Sequence, residues 1–196
     1  MTRIDQFSLT TAPIEQYFND TRLGVATGFV WQAGNQPYLV TNWHVVTCQR
    51  FPTGENLHPQ GGRPNVLRVH FNIRAQEFGK MRFDITIRDD DNRPRWLVGP
   101  HRKVDIAVIP LPIDPNDPMV NLHPINMLTT SDLGVFIGLD VFILGYPFGL
   151  QPPGYPVWKR GSIASEPDLV RLTDDYLLVD TASRPGMSGG PVILAA

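Results

Sequence analysis

The stretch Gly186-Met187-Ser188-Gly189-Gly190-Pro191 is the most informative part of this sequence. Glycine tolerates backbone angles that a side chain forbids, so a serine between glycines can sit on a sharp turn with its hydroxyl beside free backbone N–H groups. A histidine lies upstream in Thr41-Asn42-Trp43-His44-Val45-Val46, and an aspartate lies in Val104-Asp105-Ile106-Ala107-Val108. The three segments together predict nucleophilic catalysis by a serine.

Such catalysis places four demands on a protein. A serine hydroxyl is a weak nucleophile until an imidazole takes its proton, and a carboxylate on the other ring nitrogen fixes the tautomer of that imidazole. The negative charge of the tetrahedral intermediate needs backbone N–H donors, each worth about 100-fold or more in rate. The glycines of the serine segment would allow the amides of Gly186 and Ser188 to point at one position.

The serine segment also matches the Gly-x-Ser-x-Gly turn of α/β-hydrolases. In those enzymes the serine lies between a strand and a helix, and the acid and the histidine follow it in the chain. Here residues 189–196 contain neither an acid nor a histidine, and residues 191–194 are typical of a strand. We therefore do not expect an α/β-hydrolase.

The order histidine, aspartate, serine is that of chymotrypsin-type enzymes. The chain resembles a trypsin-like serine protease of the double β-barrel fold, and among these it is most similar to the bacterial high-temperature-requirement (HtrA/Deg) branch. In that branch the histidine commonly lies in Thr-Asn-x-His-Val-Val, which residues 41–46 match, and the aspartate opens a segment that residues 105–108 match. The branch's Pro-Gly-Asn-Ser-Gly-Gly-Pro segment is matched by residues 185–191, with Met187 in place of asparagine.

The resemblance implies Ser188 as nucleophile, His44 as general base and then acid, and Asp105 as the carboxylate that orients the imidazole. The amides of Gly186 and Ser188 would form the oxyanion hole. The implied activity is that of a serine endopeptidase acting on protein or peptide substrates through an acyl-enzyme, with no cofactor and no metal. Two alternatives stay open: a pseudoprotease or protein-binding module on the same fold, and an esterase-like hydrolase. The other histidines are expected in the core or at the surface; these are His58, His70, His101 and His123.

Short runs of β-branched and aromatic residues, separated by Gly, Pro, Asn and Asp, predict an all-β fold. With the resemblance, we expect two six-stranded-type antiparallel β-barrels of the chymotrypsin-like fold. Residues 113–118 are rich in turn formers, so we expect a first domain over residues 1–118 and a second over residues 119–196. A short helix is predicted over residues 12–18. The predicted strands are 25–31, 37–41, 67–71, 82–87, 104–111 (buried on both sides), 135–144, 157–164, 176–180 and 191–194.

The resemblance also implies where the substrate side chain binds. Ala182, six residues before the serine, is expected on the floor of the pocket on the acyl side of the cut, beside Ser183 and Arg184. A small apolar floor offers no counter-charge for Lys or Arg, so we predict cleavage after small or medium apolar residues, with attraction of an acidic side chain by Arg184 as the alternative. Met187 cannot pair with a newly cleaved N-terminal amine, so activity is expected without N-terminal cleavage.

In the resembled fold at least two more strands follow the serine, where this sequence has room for one. We therefore expect the second barrel to be incomplete at its C-terminus. Three explanations stay open. The chain is a piece of a longer protein with further domains, it completes the barrel with a strand from a partner or a second copy, or it is a degenerate protease that no longer binds substrate.

The composition sets outer limits on function. The chain has 196 residues, of which 42% are hydrophobic and 18% charged, so it can form a globular core. A formal net charge of −2 gives no electrostatic case for nucleic acid or an anionic membrane. Cys48 is the only cysteine and no apolar secretory segment opens the chain, which favours a cytoplasmic location. The run Asp89-Asp90-Asp91-Asn92 is predicted as a solvated turn, because Pro94 and Pro100 stand where a calcium-binding EF-hand needs glycine and glutamate.

Overall fold

A computed structural model describes residues 4–74, 79–99, 104–130, 133–149, 154–173 and 176–194. His101 and Pro100 lie outside these ranges. The strands are β1 Thr11–Phe18, β2 Thr21–Ala33, β3 Gln36–Thr41, β4 Val66–Ile73, β5 Lys80–Thr86, β6 Ala107–Pro110, β7 Val120–Asn121, β8 Asp140–Gly145, β9 Val157–Ile163, β10 Val179–Asp180 and β11 Val192–Ile193. The helices are α1 Gln6–Thr10, α2 Trp43–Thr47 and α3 Pro167–Thr173, with short 3-10 turns at Ile125–Met127 and Pro147–Gly149.

The strands form two antiparallel sheets, as the predicted all-β class requires. The first sheet has the order β5-β4-β1-β2-β3-β6, with β7 paired to β4, and the second has the order β10-β9-β8-β11. Within the described residues neither sheet is closed into a barrel by hydrogen bonds between its outer strands. The strand β7 follows the turn-rich residues 113–118 and pairs with the first sheet.

The predicted helix over residues 12–18 is wrong, because these residues form β1. This strand pairs with β2 along one edge and with β4 along the other, so it lies inside the first sheet. Ala12 and Ile14 are buried in the main core, where the alternating faces of a strand place them. Pairing with a strand on each edge outweighs any weak local preference of these residues for helix. A short segment of sequence does not show whether such partners exist.

Several predicted strands have different limits or surroundings. The region predicted as a strand over 104–111 is β6, and it is buried on one face only: Ala107 and Ile109 are buried, whereas Pro110 on the other face is exposed. The strand predicted over 135–144 begins only at Asp140. The strand predicted over 176–180 is limited to Val179–Asp180, and α3 was not predicted. The run Asp89-Asp90-Asp91-Asn92 is a turn closed by a hydrogen bond from the Asn92 N–H to the Asp89 carbonyl at 2.9 Å.

Buried polar contacts connect the two sheets. Tyr146, which follows β8, is fully buried, and its hydroxyl donates to the Thr11 carbonyl of β1 at 3.3 Å. Burial raises the pKa of Tyr146, so the hydroxyl stays a neutral donor. The indole N–H of Trp158 in β9 donates to the Ser8 hydroxyl of α1 at 2.7 Å. Of the described helices, none is long and apolar enough to cross a membrane.

Candidate active site

The pairing of β3 with β6 brings His44 and Asp105 together. Thr41 at the end of β3 lies opposite Ala107 at the start of β6. In an antiparallel pair, the residues that follow one strand and the residues that precede the other lie at the same end of the pair. His44 in α2 follows Thr41, and Asp105 precedes Ala107, so the sheet itself positions the two side chains.

Asp105 contacts His44 twice. One carboxylate oxygen accepts the His44 backbone N–H at 2.9 Å, and the other lies 2.6 Å from the His44 Nδ1. An ionised carboxylate only accepts hydrogen bonds, so this contact keeps the proton on Nδ1 and leaves Nε2 as the acceptor. The two side chains are 26% and 23% exposed, which leaves part of the imidazole open to solvent. This arrangement prepares Nε2 to take a proton.

The backbone of Asp105 is held as well. The side-chain amide of Asn42 donates to the Asp105 carbonyl at 2.7 Å. Asn42 is the residue that precedes α2, but its side chain makes no hydrogen bond to the start of that helix. The amide is therefore used to position the aspartate and not to cap the helix.

Ser188 lies on the second of two consecutive tight turns. The Met187 N–H donates to the Arg184 carbonyl at 3.1 Å, and the Gly190 N–H donates to the Met187 carbonyl at 3.0 Å. The third residue of each turn is a glycine with positive φ, Gly186 at 94° and Gly189 at 85°. This is the backbone conformation that type II turns require at that position, and it explains the glycines around the serine.

The predicted oxyanion donors are not used inside the fold. Among the described residues, neither the Gly186 N–H nor the Ser188 N–H has a hydrogen-bond partner. The Pro185 carbonyl accepts from the Phe148 N–H at 2.7 Å. Because the C=O and N–H of a trans peptide unit point in opposite directions, this bond turns the Gly186 N–H away from Phe148. Both amides are thus free to bind an external oxygen.

His44, Gly186 and Ser188 line one cavity of about 410 Å³. Its other walls are mainly apolar, and the residues that form them are Gln16, Leu23, Gly24, Val25, Val45, Cys48, Leu57, His58, Pro59 and Pro185. The Cys48 thiol does not compete as a nucleophile, because burial raises its pKa and keeps it protonated. The cavity therefore presents the Ser188 hydroxyl and two imidazoles, of which His44 is the one held by Asp105.

The predicted substrate residues lie at the surface. Ala182, Ser183 and Arg184 are all exposed, and none of them lines a cavity described here. Asp84, an acidic residue on β5, is not a partner of His44, since it is held by Arg68 at 2.9 and 3.0 Å. Within the described residues no group of histidine, cysteine and acidic side chains could hold a metal ion.

The sequence does not mark Thr27 as a site residue, and it predicts for His58 only a place in the core or at the surface. His58 lies in a loop and reaches the cavity only through tertiary packing. Thr27 is a fully buried polar residue in β2, and its hydroxyl donates to the Gly186 carbonyl at 2.7 Å. A threonine is common in strands, so nothing in the local sequence distinguishes it from an ordinary strand residue.

Comparisons with known proteins agree with this fold. A family model described as a trypsin-like peptidase domain matches residues 26–196. The chain is 27% identical over 194 residues to "Protease Do-like 1, chloroplastic" of Arabidopsis thaliana. The matched region covers 97% of this chain and 34% of that relative. The HtrA/Deg resemblance inferred from the three motifs is thus confirmed.

One solved structure with a TM-score above 0.5 shows a similar fold. A serine endoprotease from Yersinia pestis superposes with a TM-score of 0.53 at 16% identity, over 99% of this chain and 55% of the other. A human pathogenic astrovirus serine protease superposes with a TM-score of 0.49 at 20% identity, over 97% of this chain and 77% of the other. The family model covers most of the residues, and the chain belongs to the trypsin-like peptidase domain family.

Proposed function

We propose that this domain is a serine endopeptidase that cleaves peptide bonds through an acyl-enzyme on Ser188. The observation that supports this most is the 2.6 Å contact between the His44 Nδ1 and Asp105, together with the cavity that both His44 and Ser188 line. The proposal concerns the domain only, since the chain spans 34% of the curated relative that it matches.

In the proposed reaction, the Ser188 hydroxyl attacks the scissile carbonyl carbon while the His44 Nε2 takes the hydroxyl proton. Asp105 stabilises the imidazolium that forms. The carbonyl oxygen becomes an oxyanion that accepts hydrogen bonds from the Gly186 and Ser188 amides. His44 then protonates the leaving amine, the C–N bond breaks and an ester on Ser188 remains. A water molecule, deprotonated by His44, hydrolyses this ester and restores the serine.

For specificity, we retain cleavage after small or medium apolar residues as part of the proposal. Its support is the small side chain of Ala182, six residues before Ser188. A peptide library cleaved by the domain should show Ala, Val or Leu before the cut. Preferred cleavage after Lys, Arg or an acidic residue would contradict this specificity without affecting the proposed chemistry.

A protein-binding module is the second candidate function. It is favoured by the exposure of residues 182–184, which line no described cavity. It is also favoured by the outer edge of β11, which no described strand covers. Among the described strands β11 pairs with β8 alone, and Val192 is 51% exposed. A largely apolar groove of about 490 Å³ beside it is lined by residues of both sheets, among them Trp31 of β2, Val40 of β3 and Val192 of β11. An added strand, from a further segment or from a partner, would pair with this edge.

A fluorophosphonate distinguishes the two candidates, because it forms a covalent adduct only with an activated serine. Intact mass spectrometry of the proposed peptidase should show one probe per chain, and Ser188→Ala should show none. A folded wild-type sample without adduct would contradict the peptidase and favour the binding module. Turnover of matched ester and amide substrates then separates a peptidase from an esterase-like hydrolase.

The location of the protein in the cell remains a proposal too. We propose a cytoplasmic location, supported by Cys48 as the only cysteine of the sequence and by its burial. Fractionation of the cells with a tagged protein tests it, and recovery from a membrane or secreted fraction would contradict it.

A further inference from the structure

We propose that Thr27 is a positioning residue for the serine chemistry, because two of its four hydrogen bonds hold the serine turns and a third holds β3, the strand that leads to His44. The inference rests on the proposed function for its effect on rate. Thr27 does not line the cavity that contains Ser188 and His44. It would therefore act through the backbone of other residues, without touching substrate.

The backbone N–H and C=O of Thr27 are not used in pairing with β3, because the β2–β3 pairing ends before Thr27. The last paired residues at this end are Phe29 and Val40. Backbone groups of residues two apart in a strand point to the same neighbour, so the N–H and C=O of Thr27 face the side where β3 no longer pairs. The N–H donates to the Ser188 carbonyl at 2.8 Å, and the C=O accepts from the Thr41 hydroxyl at 2.8 Å.

The side chain of Thr27 adds two further bonds. Its hydroxyl donates to the Gly186 carbonyl at 2.7 Å and accepts from the Tyr146 N–H at 3.1 Å. Gly186 belongs to the first serine turn, and Tyr146 follows β8 of the second sheet. A hydroxyl donates and accepts at once, so serine could replace threonine here, whereas valine could make neither bond.

Thr27 is also tightly packed against the glycines of neighbouring segments. It is fully buried. A side chain at Gly189 would collide with the Thr27 carbonyl and with Thr41, and a Cβ at Gly145 would lie 3.0 Å from the Thr27 hydroxyl. The serine turn therefore cannot shift towards β2, and the hydrogen bonds keep it from moving away.

These contacts form a short chain between nucleophile and base. Ser188 is bonded to Thr27, Thr27 is bonded to Thr41, and Thr41 precedes His44 by three residues. Reaction requires the attacking oxygen at about 3–3.5 Å from its target, and a displacement of about 1 Å costs on the order of 100-fold in rate. The two backbone bonds of Thr27 remain in a side-chain variant, whereas the hydroxyl bond to the Gly186 carbonyl is lost. Because that bond holds the first serine turn, its loss should affect the rate more than the binding of a substrate.

The experiment compares Thr27→Val and Thr27→Ser with the control Thr10→Val. Thr10 is as fully buried as Thr27, and its hydroxyl makes a 2.7 Å hydrogen bond to the Phe7 carbonyl, away from the serine turns. The measurement is fluorophosphonate labelling of Ser188 as a function of probe concentration. It gives a maximal labelling rate and a half-saturating concentration for each variant.

We expect Thr27→Val to lower the maximal labelling rate about 100-fold, with a half-saturating concentration within about threefold of the wild type. Thr27→Ser should recover the rate to within about fivefold, since the hydroxyl is retained. Thr10→Val should label at the wild-type rate. The proposal is overturned if Thr27→Val labels like Thr10→Val, or if Thr27→Ser loses as much rate as Thr27→Val.

Amide hydrogen exchange provides a second measurement that needs no activity. The Tyr146 N–H should exchange faster in Thr27→Val than in the wild type, while Thr27→Ser and Thr10→Val should retain its protection. Unchanged Tyr146 exchange in Thr27→Val would overturn the proposed anchoring. If the wild-type chain is not labelled at all, the proposed function fails, and the exchange measurement still decides whether Thr27 holds the turns.

Discussion

Asp105 binds both the main chain and the side chain of His44, through separate oxygens of one carboxylate at 2.9 and 2.6 Å. The backbone contact ties the aspartate to the first turn of α2, and the side-chain contact sets the imidazole. A residue that replaces Asp105 must therefore match two acceptor positions at once. A mutation of Asp105 should therefore disturb both contacts with His44.

Asp105→Asn is expected to lower kcat/KM by about 10,000-fold, because the amide presents an N–H to Nδ1 and favours the wrong imidazole tautomer. The wild type and the variant should have similar circular dichroism. The matched control is Asp84→Asn, which breaks a pair with Arg68 on β5 and should leave activity unchanged. Activity within tenfold of wild type in Asp105→Asn would contradict the assigned role.

Asn42→Ala is expected to lower activity about tenfold and the free energy of unfolding by about 1 kcal/mol, since it removes the 2.7 Å bond to the Asp105 carbonyl. Urea unfolding and kcat/KM measure the two effects. Asn126→Ala is the control, because that amide makes a similar 2.8 Å bond to the Gln32 carbonyl away from the site. Equal activity loss in both variants would count against positioning by Asn42.

Gly189→Ala is expected to abolish labelling of Ser188 and to lower the free energy of unfolding by about 3 kcal/mol or more. The added Cβ would collide with the Thr27 carbonyl and Thr41, at a φ of 85°. Gly34→Ala is the control, with a φ of 56° and open space around the new Cβ. It should cost only about 1 kcal/mol of backbone strain. Comparable stability of the two variants would show that the close approach at Gly189 is not restrictive.

Lys80→Met is expected to raise the free energy of unfolding at pH 7 by about 2 kcal/mol. Burial lowers the pKa of Lys80 from 10.5 to about 8, and its ammonium has no hydrogen-bond partner among the described residues. Below about pH 8 the folded protein therefore carries a poorly solvated charge. Above it the folded protein releases a proton that the unfolded chain keeps, so wild-type stability rises with pH.

The measurement for Lys80 is urea unfolding from pH 7 to about 9.5, where the wild type should gain stability and Lys80→Met should stay flat. His70 and His123 lie near this lysine, and burial with nearby cations lowers the pKa of both, but they lose their protons below this range. Lys159→Met on β9 is the control and should keep the rise. A flat wild-type curve would show that Lys80 is solvated.

Much of the fold was predictable because strand patterns and turn residues are local signals. The hairpin of β2 and β3 follows from two apolar runs around a glycine turn, and the structure has it close to the predicted residues. The helix predicted over residues 12–18 is wrong because the strands that pair with these residues are distant in the chain. Only pairing with β2 and β4 decides that they form a strand.

By itself the sequence determined which side chains could carry the chemistry. Ser188, His44 and Asp105 are the residue types that the reaction needs, and the glycines beside Ser188 are needed by the turn; their order along the chain is that of chymotrypsin-type enzymes. The tertiary structure alone decided that Asp105 reaches His44, that Ala182 is exposed, and that Thr27 connects the serine turns to β3. These contacts join residues far apart in the chain, so they depend on sheet register and packing, which no local stretch of sequence encodes.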